Sequence, residues 1–335
     1  MKARLAALAV FALACRDIAG IEPLVYDDSG ASGCGAAPAA VLHGPVQYDS
    51  IAAQAGFVYL GVGGSGLQRC ATSGCGTASA VVTNLDFIDF ALTQNGVEYL
   101  LSDLTAGDGS IHTAAADGSG DQTLASGLAY PSLIAVSGAK AFWVDDPYDG
   151  GDVTLDSVNC VGCQGSTSAP WITMFPGGVY AVAANATDVF AVADGDAVSS
   201  TVQLVSCSTT SACNASPKTL LTGLDLFSYP QQLAVDSTYA YVARNDHEDV
   251  VRVDGTGAVT ELVMSQDVTA LAVDEAAGNL YFGTSTGELE RIKSDGTGSI
   301  TTLACNQTNI VAIAVDDAVY FIAGETGADV LSVPK

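Results

Sequence analysis

Ala270-Leu271-Ala272-Val273-Asp274-Glu275-Ala276-Ala277-Gly278-Asn279-Leu280-Tyr281-Phe282 is the stretch whose reading decides the fold. An Ala-centred apolar triplet passes through an acidic, Gly-ending turn into a run of aromatic and aliphatic residues, which is two strands of a tight antiparallel pair. The phrase returns as Ile313-Ala314-Val315 before Val319-Tyr320-Phe321, and as Ile51-Ala52-Ala53 before Val58-Tyr59-Leu60. Its central alanine falls at Ala52, Ala91, Ala135, Ala183, Ala234, Ala272 and Ala314, giving steps of 39, 44, 48, 51, 38 and 42 residues.

Each unit holds four short strands. In the clearest one, Ala270–Val273 is strand a, Asn279–Phe282 strand b, Glu288–Ile292 strand c and Ser299–Leu303 strand d, with Asp295-Gly296-Thr297-Gly298 turning c into d. Four strands cannot bury both faces alone, so neighbouring units must stack and the stack must close on itself to hide its edges. Repeats of this length predict an all-β, seven-bladed β-propeller, with six blades as the alternative because the third and fourth repeats are irregular. After Ala314 only strands a to c fit, ending at Val330-Leu331-Ser332-Val333, while Ala39-Ala40-Val41-Leu42 near the start reads as an orphan strand d. The expectation is a last blade closed by this N-terminal strand.

The first residues set the compartment. Lys2 and Arg4 precede an apolar run from Leu5 to Leu13 and then Ala14-Cys15, the layout of a secretory leader. Ala12-Leu13-Ala14-Cys15 resembles a bacterial lipobox, with Ala12 where Leu is usual, so Cys15 is the expected lipidation site; an ordinary cleaved leader is the alternative. The domain reading is residues 1–14 as signal peptide, 15–33 as lipidated tether and 34–335 as propeller. Membrane attachment is expected through the N-terminal lipid only. Arg16 after Cys15 points to the outer membrane, facing either periplasm or cell surface.

Against 11 Lys and Arg stand 37 Asp and Glu, a formal net charge of −26. Such a chain repels nucleic acid and suits cations, basic partners or plain solubility. Nine cysteines in an exported chain indicate disulfides, and Cys70 with Cys75, Cys160 with Cys163, and Cys207 with Cys213 sit as close pairs at the c-to-d hairpins of blades one, three and four. Cys34 and Cys305 are left over. Read as lying on opposite faces of the ring, they are expected to stay unbridged.

The repeated I-A-V-D, V-Y-F, G-x-V and V-P-K elements, with a lipobox followed by Arg16-Asp17-Ile18-Ala19-Gly20-Ile21-Glu22, resemble the propeller lipoproteins of myxobacteria and their relatives. More distantly they are similar to TolB-like and NHL-type repeat propellers. The resemblance covers nearly all of residues 34–335 and implies a fold, with no general enzymatic motif.

Motifs for chemistry are weak. Gly61-Val62-Gly63-Gly64-Ser65-Gly66 fits a dinucleotide fingerprint but is followed by a strand where the chemistry needs a helix, so it reads as a b-to-c turn. Cys160-Val161-Gly162-Cys163 lacks the helix that activates a redox thiol and reads as a hairpin disulfide. His43, His112 and His247 lie in different blades, without a metal-ligand spacing or a Ser-His-Asp order, and the loop Asp145-Asp146-Pro147-Tyr148-Asp149-Gly150-Gly151-Asp152 lacks the EF-hand pattern. Neither metal nor cofactor is expected.

The candidate site is the face carrying the d-to-a and b-to-c connections. It offers Tyr48, Phe87, Tyr130, Phe175, Phe227 and Tyr229 near the channel mouth, and an acidic rim including Asp145, Asp149 and Asp246. An aromatic centre inside an acidic rim suits an unidentified protein, peptide or glycan. The reading is a monomeric, noncatalytic binding or scaffold propeller of the cell envelope; the alternative is a propeller hydrolase or lyase using channel carboxylates, with or without a divalent cation.

Overall fold

A computed structural model describes residues 34–335, apart from 36, 43–46, 95, 104–107, 147–152, 160–168, 176–177, 196–200, 215, 226–231, 245–247, 265 and 325–328. Every regular element named in it is a strand, and the strands form seven four-stranded antiparallel sheets. The first strands of the sheets are Ser50–Gln54, Phe87–Leu92, Pro131–Ser137, Val179–Ala184, Leu233–Val235, Val268–Asp274 and Ile310–Val315. Each touches the first strand of the next sheet, and the seventh touches the first, so they form the inner ring of a seven-bladed β-propeller. Seven sheets, rather than six, are present because the irregular third and fourth repeats each keep a full set of four strands.

Closure follows the expected route. Ala39–Leu42 pairs antiparallel with Asp329–Val333, with Ala39 opposite Ser332 and Ala40 opposite Leu331. Val41 and Leu42 are buried against Val58, Leu60 and Tyr320, so the strand also seals the seam between blades seven and one.

The b strands are apolar on both faces because both faces are covered. In blade six, Leu280 and Phe282 pack toward Tyr241 and Val250 of blade five, while Tyr281 packs toward Phe321 and Val319 of blade seven. Alternate side chains point to opposite sides of a strand, so one run of residues serves two seams. Burying each such side chain is worth about 1.5–3 kcal/mol. Outer d strands such as Ser79–Thr83 and Val259–Val263 are largely exposed and carry Ser, Thr and Glu.

The hairpins Asp117-Gly118-Ser119-Gly120, Asp254-Gly255-Thr256-Gly257 and Asp295-Gly296-Thr297-Gly298 share one turn chemistry. In each, the aspartate accepts from the backbone N–H and hydroxyl of the residue two places on. Those bonds hold all three carboxyls below the usual range.

Disulfides Cys70–Cys75 and Cys207–Cys213 close their hairpins as expected, whereas Cys160 and Cys163 lie outside the described residues. One expectation is corrected: Cys34 and Cys305 are bridged, with their Cα atoms 5.7 Å apart. The repeat pattern alone puts Cys34 at a hairpin tip of the last blade. In the structure Gly35 lies so close to Leu303 that a Cβ there would collide with the Leu303 carbonyl. Cys34 and Gly35 therefore lie beside the outer strand of blade six, Thr301–Ala304. Five residue steps reach about 17 Å, enough to cross from one face of the ring to the other.

Candidate functional site

The inner ring is lined mostly by small and aliphatic residues, as the recurring Ala52, Ala91, Ala135, Ala183, Ala272 and Ala314 require where seven strands converge. Among the described inner strands only Asp89 and Asp274 are carboxylates, and none carries histidine. Asp274 sits at the end of its strand and holds the Lys335 ammonium at 2.7 Å. Burial works against its charge, but the bonds from Lys335 and from backbone N–H groups prevail and lower its pKa. Asp89 is different. Its Oδ2 accepts from the Ile134 N–H of blade three at 3.2 Å, tying adjacent inner strands, and burial raises its pKa to about 6 despite that bond.

On the d-to-a and b-to-c face, Tyr48 and Phe87 are 3% and 1% exposed. They pack inside the seams of blades seven and one, and of blades one and two, and burial pushes the Tyr48 hydroxyl up. Both are core side chains, so neither forms part of an open platform. Tyr130 is partly exposed with φ +62°, just ahead of Pro131. Phe227, Tyr229, Asp149, Asp246 and the Phe175 side chain lie outside the described residues, as do residues 1–33 with Cys15.

Asp145 heads the seam between blades two and three. It lies two residues beyond Trp143, on the face that packs against Leu100 and Ile111 of blade two. Burial, reinforced by Asp156 and Asp146, raises Asp145 to about 6 against a bond from the Ala129 N–H. Asp156 is raised too, chiefly by burial, while accepting from the Thr154 hydroxyl at 3.0 Å. Trp143 Nε1, the Ser102 hydroxyl and one Asp145 oxygen, all along this seam, have no hydrogen-bond partner among the described residues. This end of the seam gathers two carboxyls that burial holds toward their protonated forms, and it can accept a donor from outside.

At its other end, on the opposite face of the ring, the same seam opens into a cavity of about 870 Å3. Leu92 and Val136 supply apolar wall, Gln94, Thr113 and Gln122 supply polar groups, and Glu98 contributes a buried carboxylate that accepts from the Thr113 hydroxyl at 3.1 Å. The a-to-b turns and the c-to-d hairpin of blade two form its rim. The sequence points to the other face because aromatic residues are conspicuous in a sequence, and a cleft between two sheets is not.

A third grouping is also hidden in the sequence. On strand c of blade two, Asp108–Ala115, Ser110 Oγ lies 2.9 Å from His112 Nε2, and His112 Nδ1 lies 3.2 Å from Asp121 Oδ1. The same Asp121 oxygen accepts from the Tyr99 hydroxyl at 2.6 Å, and the Tyr99 ring stacks on His112 with centroids 5.1 Å apart. Ser-x-His on a strand puts both side chains on one face, the one local signal that could have found it.

No model of a known protein family matches the chain, and no curated protein matches it. Solved structures do. A prolyl endopeptidase aligns over 87% of this chain and 47% of its own, with TM-score 0.63 and 12% identity. This chain therefore spans about half the length of that enzyme. The propeller domain of the Trilobed protease from Pyrococcus furiosus, described as an open velcro topology, aligns over 85% of this chain and 94% of its own, with TM-score 0.61 and 9% identity. A streptogramin B lyase aligns over 87% and 94%, with TM-score 0.58 and 12% identity. At these identities the likeness is one of fold, and it makes the chain structurally similar to β-propellers with several unrelated roles.

Proposed function

We propose that this chain is an exported binding propeller of the bacterial cell envelope, anchored through lipid on Cys15, that takes a cationic group of a peptide or glycan between blades two and three. One observation carries the binding reading: a cavity of about 870 Å3 has a buried carboxylate, Glu98, in its lining and two glutamines around it. A buried carboxylate favours an ammonium or guanidinium that can enter with its own hydrogen bonds, and the net charge of −26 draws such ligands in. The leader, the paired cysteines and the polar residues before Cys34 support export and tethering.

Titration of the protein with lysine-containing peptides and with amino-sugar oligomers, followed by calorimetry, tests this reading. Saturable binding that Glu98→Gln weakens at least about tenfold is expected. Equal binding by both proteins would sink the cleft as the site. Replacing Phe227 and Tyr229 together, with Glu98 intact, tests the opposite face in the same assay.

A further inference from the structure

We propose that Ser110 is an activated nucleophile and that Ser110, His112 and Asp121 form a hydrolytic site for small carboxylic esters, separate from the cleft between blades two and three. The hydrogen bonds form a directed chain. With Nδ1–H donating to the Asp121 carboxylate at 3.2 Å, Nε2 carries the lone pair that accepts the Ser110 hydroxyl proton at 2.9 Å. Nucleophile, base and orienting carboxylate thus stand in the order that acyl transfer requires, and such sites are recognised by geometry and not by chain order.

The surroundings fix the base. Tyr99 stacks on the imidazole, and its hydroxyl donates to the same Asp121 oxygen, so the carboxylate is held from two sides. The His112 side chain is only 14% exposed, which limits its rotation, while that of Asp121 is 50% exposed. Ser110 is partly exposed, and its partner on the outer strand, Ser126, is exposed. Gly127, next to Ser126, is exposed as well, so the outer-strand side of this grouping faces solvent.

In the reaction, Ser110 Oγ bonds to the ester carbonyl carbon as its proton passes to His112 Nε2. The bond to the leaving alcohol breaks, and His112 returns the proton to that alcohol. Water then repeats the cycle, giving up a proton to His112 and releasing the carboxylic acid as the Oγ–acyl bond breaks and Ser110 regains its hydrogen. Ser110 and His112 are the catalytic residues; Asp121 is a positioning residue.

The full chain would be treated with a fluorophosphonate probe and, separately, with p-nitrophenyl acetate. Mass spectrometry is expected to place the adduct on Ser110 alone, with labelling and ester turnover abolished in Ser110→Ala. His112→Gln should slow both at least about a hundredfold, in line with the worth of a general base. Asp121→Asn should also slow them, with Asp121→Glu recovering part of the rate, a rescue that a merely structural carboxylate would not give to chemistry alone. Circular dichroism of each variant would separate misfolding from lost reactivity. Labelling spread over several serines, or unaltered in folded His112→Gln, would overturn the proposal. Because the Glu98 cleft lies on the other side of blade two, peptide binding by Ser110→Ala keeps the two readings distinguishable.

Discussion

Asp89 places an ionisable group in an inner ring lined mostly by small and aliphatic side chains, and burial lifts it from 3.8 to about 6. The folded state therefore holds this proton at pH values where the unfolded chain has lost it. Its contribution to stability is fully present below about pH 4 and is lost as pH rises through about 6. Asp89→Asn keeps an oxygen to accept from the Ile134 N–H but carries no charge. It should stabilise the protein by about 1–3 kcal/mol at neutral pH and by nothing below about pH 4, read from melting temperatures across that range. Asp145, raised to about 6 by the same cause, should give a similar but weaker response because a neighbouring carboxylate shares the shift. Neither effect is legible in sequence, where Phe-Ile-Asp-Phe and Val-Asp-Asp look alike.

At the scale of strands and hairpins, covalent and charged clamps do separate work. A bridge across six or seven residues constrains the unfolded chain little, whereas Cys34–Cys305 spans 271 positions. On the chain-entropy account the short pairs are worth about 2 kcal/mol each and the long one about 5 kcal/mol. Cys305→Ser should thus lower the denaturant midpoint much more than Cys75→Ser, a comparison made by urea titration of both variants. The scarce cations form a second set of clamps. Arg69 donates to Ala116 of the next blade while lying over Phe57, Arg252 donates to Ser294 over Tyr239, and Lys140 donates to Thr209 over Trp171. Lys218 donates likewise to Gly255. Each reaches from one blade to a hairpin carbonyl of its neighbour. Arg252→Ala should cost about 1–3 kcal/mol by thermal or chemical unfolding, because it removes the charged hydrogen bond to Ser294 together with the cation over the Tyr239 ring.

For the whole molecule, closure is the feature on which the rest depends. Without Ala39–Leu42, the strand Asp329–Val333 becomes an exposed edge and the seam to blade one loses Val41 and Leu42. A chain starting at Gln47 should associate during size-exclusion chromatography and unfold at lower temperature, while the full chain stays monomeric. Val41→Asp, which puts a charge into the same seam, should reproduce the loss in part. Spending cations between blades also leaves the surface dominated by carboxylates, which favours a basic ligand over nucleic acid.

Sequence alone determined the propeller architecture, the strand order within a blade and the N-terminal closing strand, because repeat length and two-residue alternation are local and recur along the chain; the structure decided for seven blades over six, because the irregular third and fourth repeats each keep four strands. It also located the short disulfides Cys70–Cys75 and Cys207–Cys213, whose partners are close along the chain. Only the tertiary structure decided that Tyr48 and Phe87 are core, that Cys34 reaches Cys305, that Glu98 borders a cleft and that Asp121 faces His112. These depend on which blade faces which, and on the path of a single arm across the ring. Such placements are set by packing between segments far apart in the chain, and no spacing within one segment encodes them.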